Sequence, residues 1–285
     1  MASPIAGADA SKIKVVFTDM DGTVLDEQSK ISPLTAETLQ RMHTERDVKL
    51  VVATGRPFAD AHPKFAKSGL KPDFFITCNG SCIYNGEQQQ VQEKNLDPAL
   101  VHELVRLRIG SRNKFATNLY RGMEWIADLE LPEIVPGFDP SFVCQNIGER
   151  LRDFTLDDCA HVQQIWFLGH PDDLAPLHAH LAEHMDGRAR FTYSIPTIID
   201  VVAPCTHKGD AVLRVTEALG IKNVKEATVA FGDGMNDETM LQTVGHPFIM
   251  GNAGAALRAA VPHAEVIKSN EEEGVACKVR ELFNL

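Results

Sequence analysis

Hydrophobic and polar positions alternate along this chain in two different ways. At the N-terminal end, KIKVVFTDMDG is an apolar, β-branched run that stops in two carboxylates and a glycine. That is the profile of a buried parallel strand opening into a loop. A second such run, VKLVVATGR, follows. Between them, Ser32 before Pro33 reads as an N-cap and first helical residue, and Leu34, Leu39 and Met42 share one helical face. A further helix is predicted around residues 57 to 68 and a third strand at DFFITCNG, which continues a β-α-β alternation.

From about Tyr84 to Thr197 the rhythm changes to short apolar stretches such as QQIWFLG, proline-containing turns, and no acidic or glycine-rich strand ends. It returns at IIDVVAP, followed by a helix from Lys208 to about Leu219 with Val212, Val215 and Thr216 on one face and Gly220 as its stop. Strands at ATVAFGDG, HPFIMGN and HAEVIK complete the pattern. The expected fold is α/β: a doubly wound, mostly parallel, Rossmann-like sheet formed by residues 1–84 and 198–285, interrupted by an inserted α/β domain at 85–197. Glu271 to Glu273 read as a solvated helix start.

Bulk properties narrow the partners. A net charge of -11 over 285 residues opposes binding to nucleic acid or to an anionic membrane, both of which need clustered Lys and Arg. A small anionic substrate stays compatible, because a metal ion and one lysine reverse the sign locally. No apolar run approaches a membrane-spanning length, and MASPIAGADASK lacks the features of a secretion signal, so a cytosolic protein is expected. Six scattered cysteines fit reduced thiols. C-N-G-S-C has zinc-like spacing, but no second pair follows, and buried thiols are the default there.

In open parallel sheets ligands bind beyond the carboxyl ends of the strands, and four such ends carry chemistry here. Asp19 and Asp21 are two residues apart on extended backbone and project the same way. One can bond phosphorus while the other manages protons, although a lone D-x-D-G-T also fits a turn or a calcium loop. Thr54, in VVATGR, offers a hydroxyl and backbone N–H groups to a phosphoryl oxygen. Lys208 supplies a mobile cation among carboxylates. F-G-D-G-M-N-D places Asp233 and Asp237 around glycines, where Asp233 and Asp19 together would ligate a hard cation, Mg²⁺ rather than zinc. Arg56 either reaches an anionic substrate or forms a structural ion pair.

Taken together these motifs resemble the haloacid dehalogenase superfamily: D-x-D-G-T, a strand-end Thr, a helix-borne Lys and G-D-x-x-N-D, in that order. The insertion, the T-G-R of Thr54 to Arg56 and the N-G of Asn79 and Gly80 are similar to the Cof-like phosphatase branch with a type IIB cap. The resemblance implies that Asp19 is the nucleophile and Asp21 the acid and base, with Mg²⁺ on Asp19, Asp233 and the main-chain carbonyl of Asp21. Thr54 and Lys208 would hold phosphoryl oxygens, while Asn236 and Asp237 position Lys208 and metal-bound water. Gly22, Gly55, Arg56 and Asn79 complete the expected phosphate and substrate contacts.

The expected activity is Mg²⁺-dependent hydrolysis of phosphomonoesters of small metabolites, sugar phosphates first, through an aspartyl-phosphate. A phosphotransferase or phosphomutase would use the same intermediate, and a noncatalytic phosphorylated switch would share the acidic strand ends. His178, His180 and His184 read as an exposed helix face. In the insertion, Arg121, Trp125, Trp166 and Phe167 are substrate-facing candidates, with core packing expected for the last two.

Overall fold

A computed structural model describes residues 10–107 and 115–285. Strand β1 (Val15–Thr18) is buried along its whole length because it is paired on both edges and its two faces are covered by helices. Helix α1 (Pro33–Arg46) begins where the sequence predicts: Ser32 Oγ accepts the Thr35 N–H at 3.0 Å, satisfying one of the free donors of the first turn. β2 (Lys49–Ala53), α2 (Phe58–Lys67) and β3 (Phe74–Thr77) continue the alternation. The chain then turns back through β4 (Cys82–Asn85) and β5 (Gln90–Glu93), both antiparallel to their neighbours, so this sheet extends to Glu93.

The next elements build a second sheet. They are α3 (Pro98–Leu104), β6 (Phe115–Arg121), β7 (Glu124–Ala127), β8 (Cys144–Asn146), β9 (Val162–Gly169), α4 (Pro171–His184), β10 (Arg190–Ile195) and β11 (Ile198–Val202). Strand order is β10-β11-β9-β6-β7-β8, antiparallel except at β7–β8. Ile198–Val202, expected to resume the parallel sheet, lies here instead, between β10 and β9. Its apolar run signals a buried strand but cannot say which sheet buries it.

The first sheet resumes with α5 (Lys208–Ala218), α6 (Val224–Ala227), β12 (Thr228–Gly232), α7 (Glu238–Thr243), β13 (His246–Ile249), α8 (Ala255–Ala260), β14 (Glu265–Val266) and α9 (Gly274–Phe283). Its order is β14-β13-β12-β1-β2-β3-β4-β5, with the first six parallel. Alternation along β1 and β2 divides the core. Val16 and Leu50 pack with α1, α2 and α9, whereas Val15, Phe17 and Val51 pack with α5, α7 and α8. Each such buried aliphatic or aromatic side chain contributes about 1.5–3 kcal/mol through removal from water. Glu271 to Glu273 precede α9, and Glu273 accepts hydrogen bonds from the hydroxyls of Ser32 and Thr35, tying α9 to the start of α1.

The second sheet is also two-faced. Leu119, Ile165, Phe167 and Val201 pack against α3 and α4. Residues one step away in register, including Tyr120 and Trp166, point to the opposite face, where Trp125 and Phe142 join them. That face looks toward the carboxyl ends of β1 and β12. Among the described residues, no helix is long and apolar enough to cross a membrane.

Candidate active site

Asp19 leaves β1 with its N–H donated to the Phe231 carbonyl, so the first catalytic candidate is pinned to the neighbouring strand β12. The chain then folds through a tight turn over Met20–Val24, in which Gly22 has a φ of 70°. Two constraints select glycine there. An L side chain is strained at that φ, and a Cβ would sit 2.3 Å from Asp233 Oδ2. Thr23 Oγ1 donates to Asp233 Oδ1 at 2.8 Å, and Asn252 Nδ2 donates to the Gly22 carbonyl at 2.9 Å. The two acidic loops are thereby stitched together.

Lys208, the first residue of α5, is completely buried. Its Nζ donates to Asp19 Oδ1 at 2.7 Å and to Asp237 Oδ1 at 2.6 Å. Burial disfavours the ammonium, but the two carboxylates outweigh it and hold the lysine above its ordinary range. Asp237 Oδ2 accepts the N–H groups of Asp233 and Gly234 at 3.0 Å each, which fixes the loop after β12. Ligand oxygens of Asp19, Asp233 and Asp237 lie within 4.8 Å of one another. Burial and the charge of Asp237 push the Asp19 carboxyl well above its usual range despite Lys208. The same two causes raise Asp233 to about 7, against the Thr23 hydrogen bond. Three carboxylates around one lysine suit a hard divalent cation bound through oxygen.

Asp21 lies outside this carboxylate group and faces Arg56. Arg56 Nε and Nη2 donate to its two oxygens at 2.6 and 2.7 Å, a bidentate pair. Burial opposes ionisation, yet the Arg56 charge and hydrogen bonds prevail and Asp21 sits below its usual range. Arg56 Nη1 donates to Asp60 Oδ2 at 2.5 Å and to the Gly137 carbonyl at 2.9 Å, and the guanidinium stacks over Phe138. Arg56 is ion-paired with Asp21 and Asp60 and also lines the cavity.

The remaining predicted residues divide. Thr54 is buried, and its Oγ1 accepts the Arg56 N–H at 3.0 Å, shaping the turn that carries the arginine. Gly55 lines the cavity in front of Asp19, and a Cβ there would press on Asn79 at 3.3 Å. Asn79 acts as a bridge: its Oδ1 accepts from Asn236 Nδ2 at 3.0 Å, while its Nδ2 donates to Asp200 Oδ2 at 3.1 Å and to Gln164 Oε1 at 3.3 Å. Its backbone is left-handed, φ 55°, a conformation asparagine tolerates. Cys78 and Cys82 beside it are free and buried.

The cavity holds Asp19, Asp21, Arg56, Asp233 and Asn236 at one end. Tyr120, Gln164, Trp166, Ile198 and Asp200, from β6, β9 and β11, form the opposite wall. Trp166 is buried in the core cluster with Tyr120, Trp125 and Phe142, as expected, and also lines the cavity, while Phe167 packs in the core on the other face of the sheet. Trp125 is wholly buried, with its Nε1 donating to Asn118 Oδ1, and Arg121 is paired with Glu124. His178 stacks on Tyr193, and His180 stacks on His184, all on α4 or its neighbour β10. Sequence reasoning missed Thr23, Asp60, Gln164, Asp200 and Asn252. Two signals were present: an acid four residues after Arg56 on a helix, and a single acid inside the apolar run IIDVVAP.

The family of haloacid dehalogenase-like hydrolases matches residues 16–279. The chain belongs to this family. The resemblance read from the motifs therefore holds, and with it the assignment as a hydrolase. An HMP-PP phosphatase from Serratia proteamaculans is 30% identical over 259 residues, spanning 90% of this chain and 91% of the relative. In fold, a haloacid dehalogenase-like hydrolase from B. subtilis superposes with a TM-score of 0.83 at 21% identity, covering 95% of this chain and all of the other. A sugar phosphatase of subclass IIB superposes with a TM-score of 0.77 at 21% identity, covering 95% and 99%. These two likenesses concern the fold alone. They match its parallel sheet with helices on both faces.

Proposed function

We propose that this haloacid dehalogenase-like hydrolase is a Mg²⁺-dependent phosphatase of small phosphorylated metabolites, with Asp19 as nucleophile and Asp21 as acid and base. The observation that carries the reading is Asp19 itself, a carboxylate facing the cavity, pinned through its backbone to β12 and through Oδ1 to Lys208. A fixed carboxylate with a cation beside it is what attack at phosphorus needs. Asp19 would bond the phosphoryl group as the leaving oxygen departs, and water would then cleave the aspartyl-phosphate. Asp21 would give a proton to the leaving oxygen and take one from the water, a role that requires its carboxylate to come off the Arg56 pair that holds it ionised in this structure.

Asp19 and Asp233 would hold the metal. Asp237 has both oxygens engaged, by Lys208 and by two backbone N–H groups, which favours a supporting position behind them. Bound Mg²⁺ would offset negative charge on the transferring phosphoryl group. Lys208 keeps Asp19 oriented, and Arg56 holds the ionised form of Asp21. The segment between β5 and α5 would serve as a cap that excludes water and selects the leaving group. Free thiols on all six cysteines fit a reducing, cytosolic setting.

Two substrate classes have support. Sugar phosphates are the sequence expectation, and one protein of the same fold is a subclass IIB sugar phosphatase. The relatives named HMP-PP phosphatase favour a different leaving group. Assaying free phosphate from p-nitrophenyl phosphate with Mg²⁺ tests the common reading. Release that disappears with chelator and in Asp19→Asn is expected. Full activity in that variant would remove Asp19 as nucleophile, and transfer or isomerisation of phosphate without release would favour a phosphotransferase or mutase.

A further inference from the structure

The segment between β7 and β8, residues 128–143, is long for a connection in a compact domain and contains one short helical turn, Val135–Gly137. Glu133, Ile134, Gly137 and Phe138 from its middle line the cavity in front of Asp19, while Val135 and Pro136 are exposed. The segment is therefore a strap between the cavity and solvent. Phe138 also lines a second space, a groove of about 360 Å³ whose other walls include Ser29, Lys30, Lys64, Lys67 and Asp139. The cavity itself measures about 320 Å³. One phenyl ring thus stands between two spaces of similar size.

The strap is rooted in the second sheet, where Leu131 and Phe142 are buried with Trp125, and the Phe138 ring packs on Trp125 at 4.4 Å between centroids. Its tip is held by α2 of the first sheet. Arg56, Asp60, Lys64 and Lys67 follow one another at spacings of four, four and three, which aligns them along one side of that helix and its entry. The Gly137 carbonyl accepts from Arg56 Nη1 and from Lys64 Nζ, both at 2.9 Å, and the Arg56 guanidinium lies 4.7 Å from the Phe138 ring centroid. Lys67 pairs with Asp139. Asp60 is completely buried and joins these contacts: its Oδ2 accepts from Arg56 Nη1 at 2.5 Å and its Oδ1 accepts the Asp139 N–H at 2.6 Å. One carboxylate therefore fixes the strap twice, directly at Asp139 and through Arg56 at Gly137. A buried carboxylate–arginine pair adds little stability over apolar packing of the same volume, so geometry is what this one supplies.

Resting on the phosphatase reading above, we infer that Asp60 is a positioning residue that holds Phe138 as the wall between cavity and groove, and so limits the leaving group to the size of the cavity. Asp60 touches neither the substrate nor the reacting atoms. It acts through Arg56 and the strap.

Two aryl esters of different size test this. p-Nitrophenyl phosphate has a one-ring leaving group, and phenolphthalein monophosphate has a three-ring one. The quantity to measure, with Mg²⁺ present, is kcat/KM for the three-ring ester divided by kcat/KM for the one-ring ester. Phe138→Ala joins the cavity to the groove, and Asp60→Asn offers a single acceptor oxygen to two donors. Each should raise the ratio about tenfold or more. A change that only destabilised the protein or misplaced Asp21 would lower both esters together and leave the ratio where it was. Hydrogen exchange should show the Asp139 N–H protected in the parent and exchanging at least about tenfold faster in Asp60→Asn. If Asp60→Asn does not fold, the parent's Asp139 protection and the Phe138→Ala ratio still decide. An unprotected Asp139 N–H in the parent, or an unchanged ratio in either folded variant, would overturn the inference while leaving the phosphatase reading intact. Failure of the parent to release phosphate from p-nitrophenyl phosphate would overturn the phosphatase reading itself and the inference with it.

Discussion

Arg56 grips Asp21 through two parallel hydrogen bonds, at 2.6 and 2.7 Å, and holds buried Asp60 with a third. Asp60 in turn accepts the Asp139 N–H through its other oxygen, at 2.6 Å. The arginine therefore connects the proposed acid and base to the Gly137–Asp139 segment that overhangs the cavity. Arg56→Gln would strand the Asp60 carboxylate in the interior, at a cost of about 3 kcal/mol or more. Denaturant unfolding should show this loss, and Asp60→Asn in the same chain should recover a substantial part of it. Strict additivity of the two changes would mean that the pair is not coupled.

Lys208 is the cation between two buried carboxylates. Lys208→Met keeps its length but leaves Asp19 and Asp237 facing each other, and should destabilise the metal-free protein by about 3–5 kcal/mol. Asp19→Asn, by contrast, removes one of the mutually repelling carboxylates while Asp237 still pairs with the lysine. Its melting temperature without metal should equal or exceed that of the parent, even though its activity is lost. Thermal unfolding in chelator distinguishes the two, and a similar loss in both would contradict the charge arrangement described.

Gly22 ties backbone conformation to the metal site. Gly22→Ala places a methyl group where Asp233 Oδ2 lies, in a left-handed turn that costs alanine about 1 kcal/mol. The expected result is a Mg²⁺ concentration for half-maximal thermal stabilisation raised at least tenfold, about 1.4 kcal/mol or more in metal affinity. An unchanged Mg²⁺ dependence would detach Asp233 from the metal.

Much of this was legible in the residues, and what was not has a physical cause. Buried parallel strands are continuous apolar runs, so β1, β2, β3 and β12 are visible, and the acids at their ends stand out against them. Asp19, Lys208, Asp233 and Asp237 converge because adjacent parallel strands bring their ends together. Asp200 stayed hidden because its place in the cavity wall follows from the strand pairing that sets it across from Trp166, and cross-strand register is not written in either segment alone. Arg56 offered two roles because an arginine beside a phosphate site satisfies either. The ion pair with Asp60, four residues further on, is one of the two, and Arg56 also lines the cavity.

Burial raises the Asp200 carboxyl to about 6, from an ordinary 3.8, against the hydrogen bonds of Ser194 and Asn79. The sign follows from proton binding. Between those two values the folded state holds the proton more firmly than the unfolded state, so Asp200 contributes a loss of stability as pH rises through the window. The loss is complete above the folded value and amounts to about 3 kcal/mol. Asp200→Asn does not titrate. Measured by urea unfolding from pH 4 to pH 7, parent stability minus variant stability should decline with pH over this window, and a constant difference would contradict the burial cause.

The central claim is that Asp19 carries the phosphoryl group. Acid-quenching the enzyme during turnover of p-nitrophenyl phosphate with Mg²⁺, followed by mass spectrometry of the peptide containing Asp19, measures this directly. A phosphate-mass increment on Asp19, present in the parent and absent in Asp19→Asn, is the predicted result. An unmodified Asp19 peptide while the increment appears on another residue, or continued phosphate release by Asp19→Asn at the parent's rate, would contradict it.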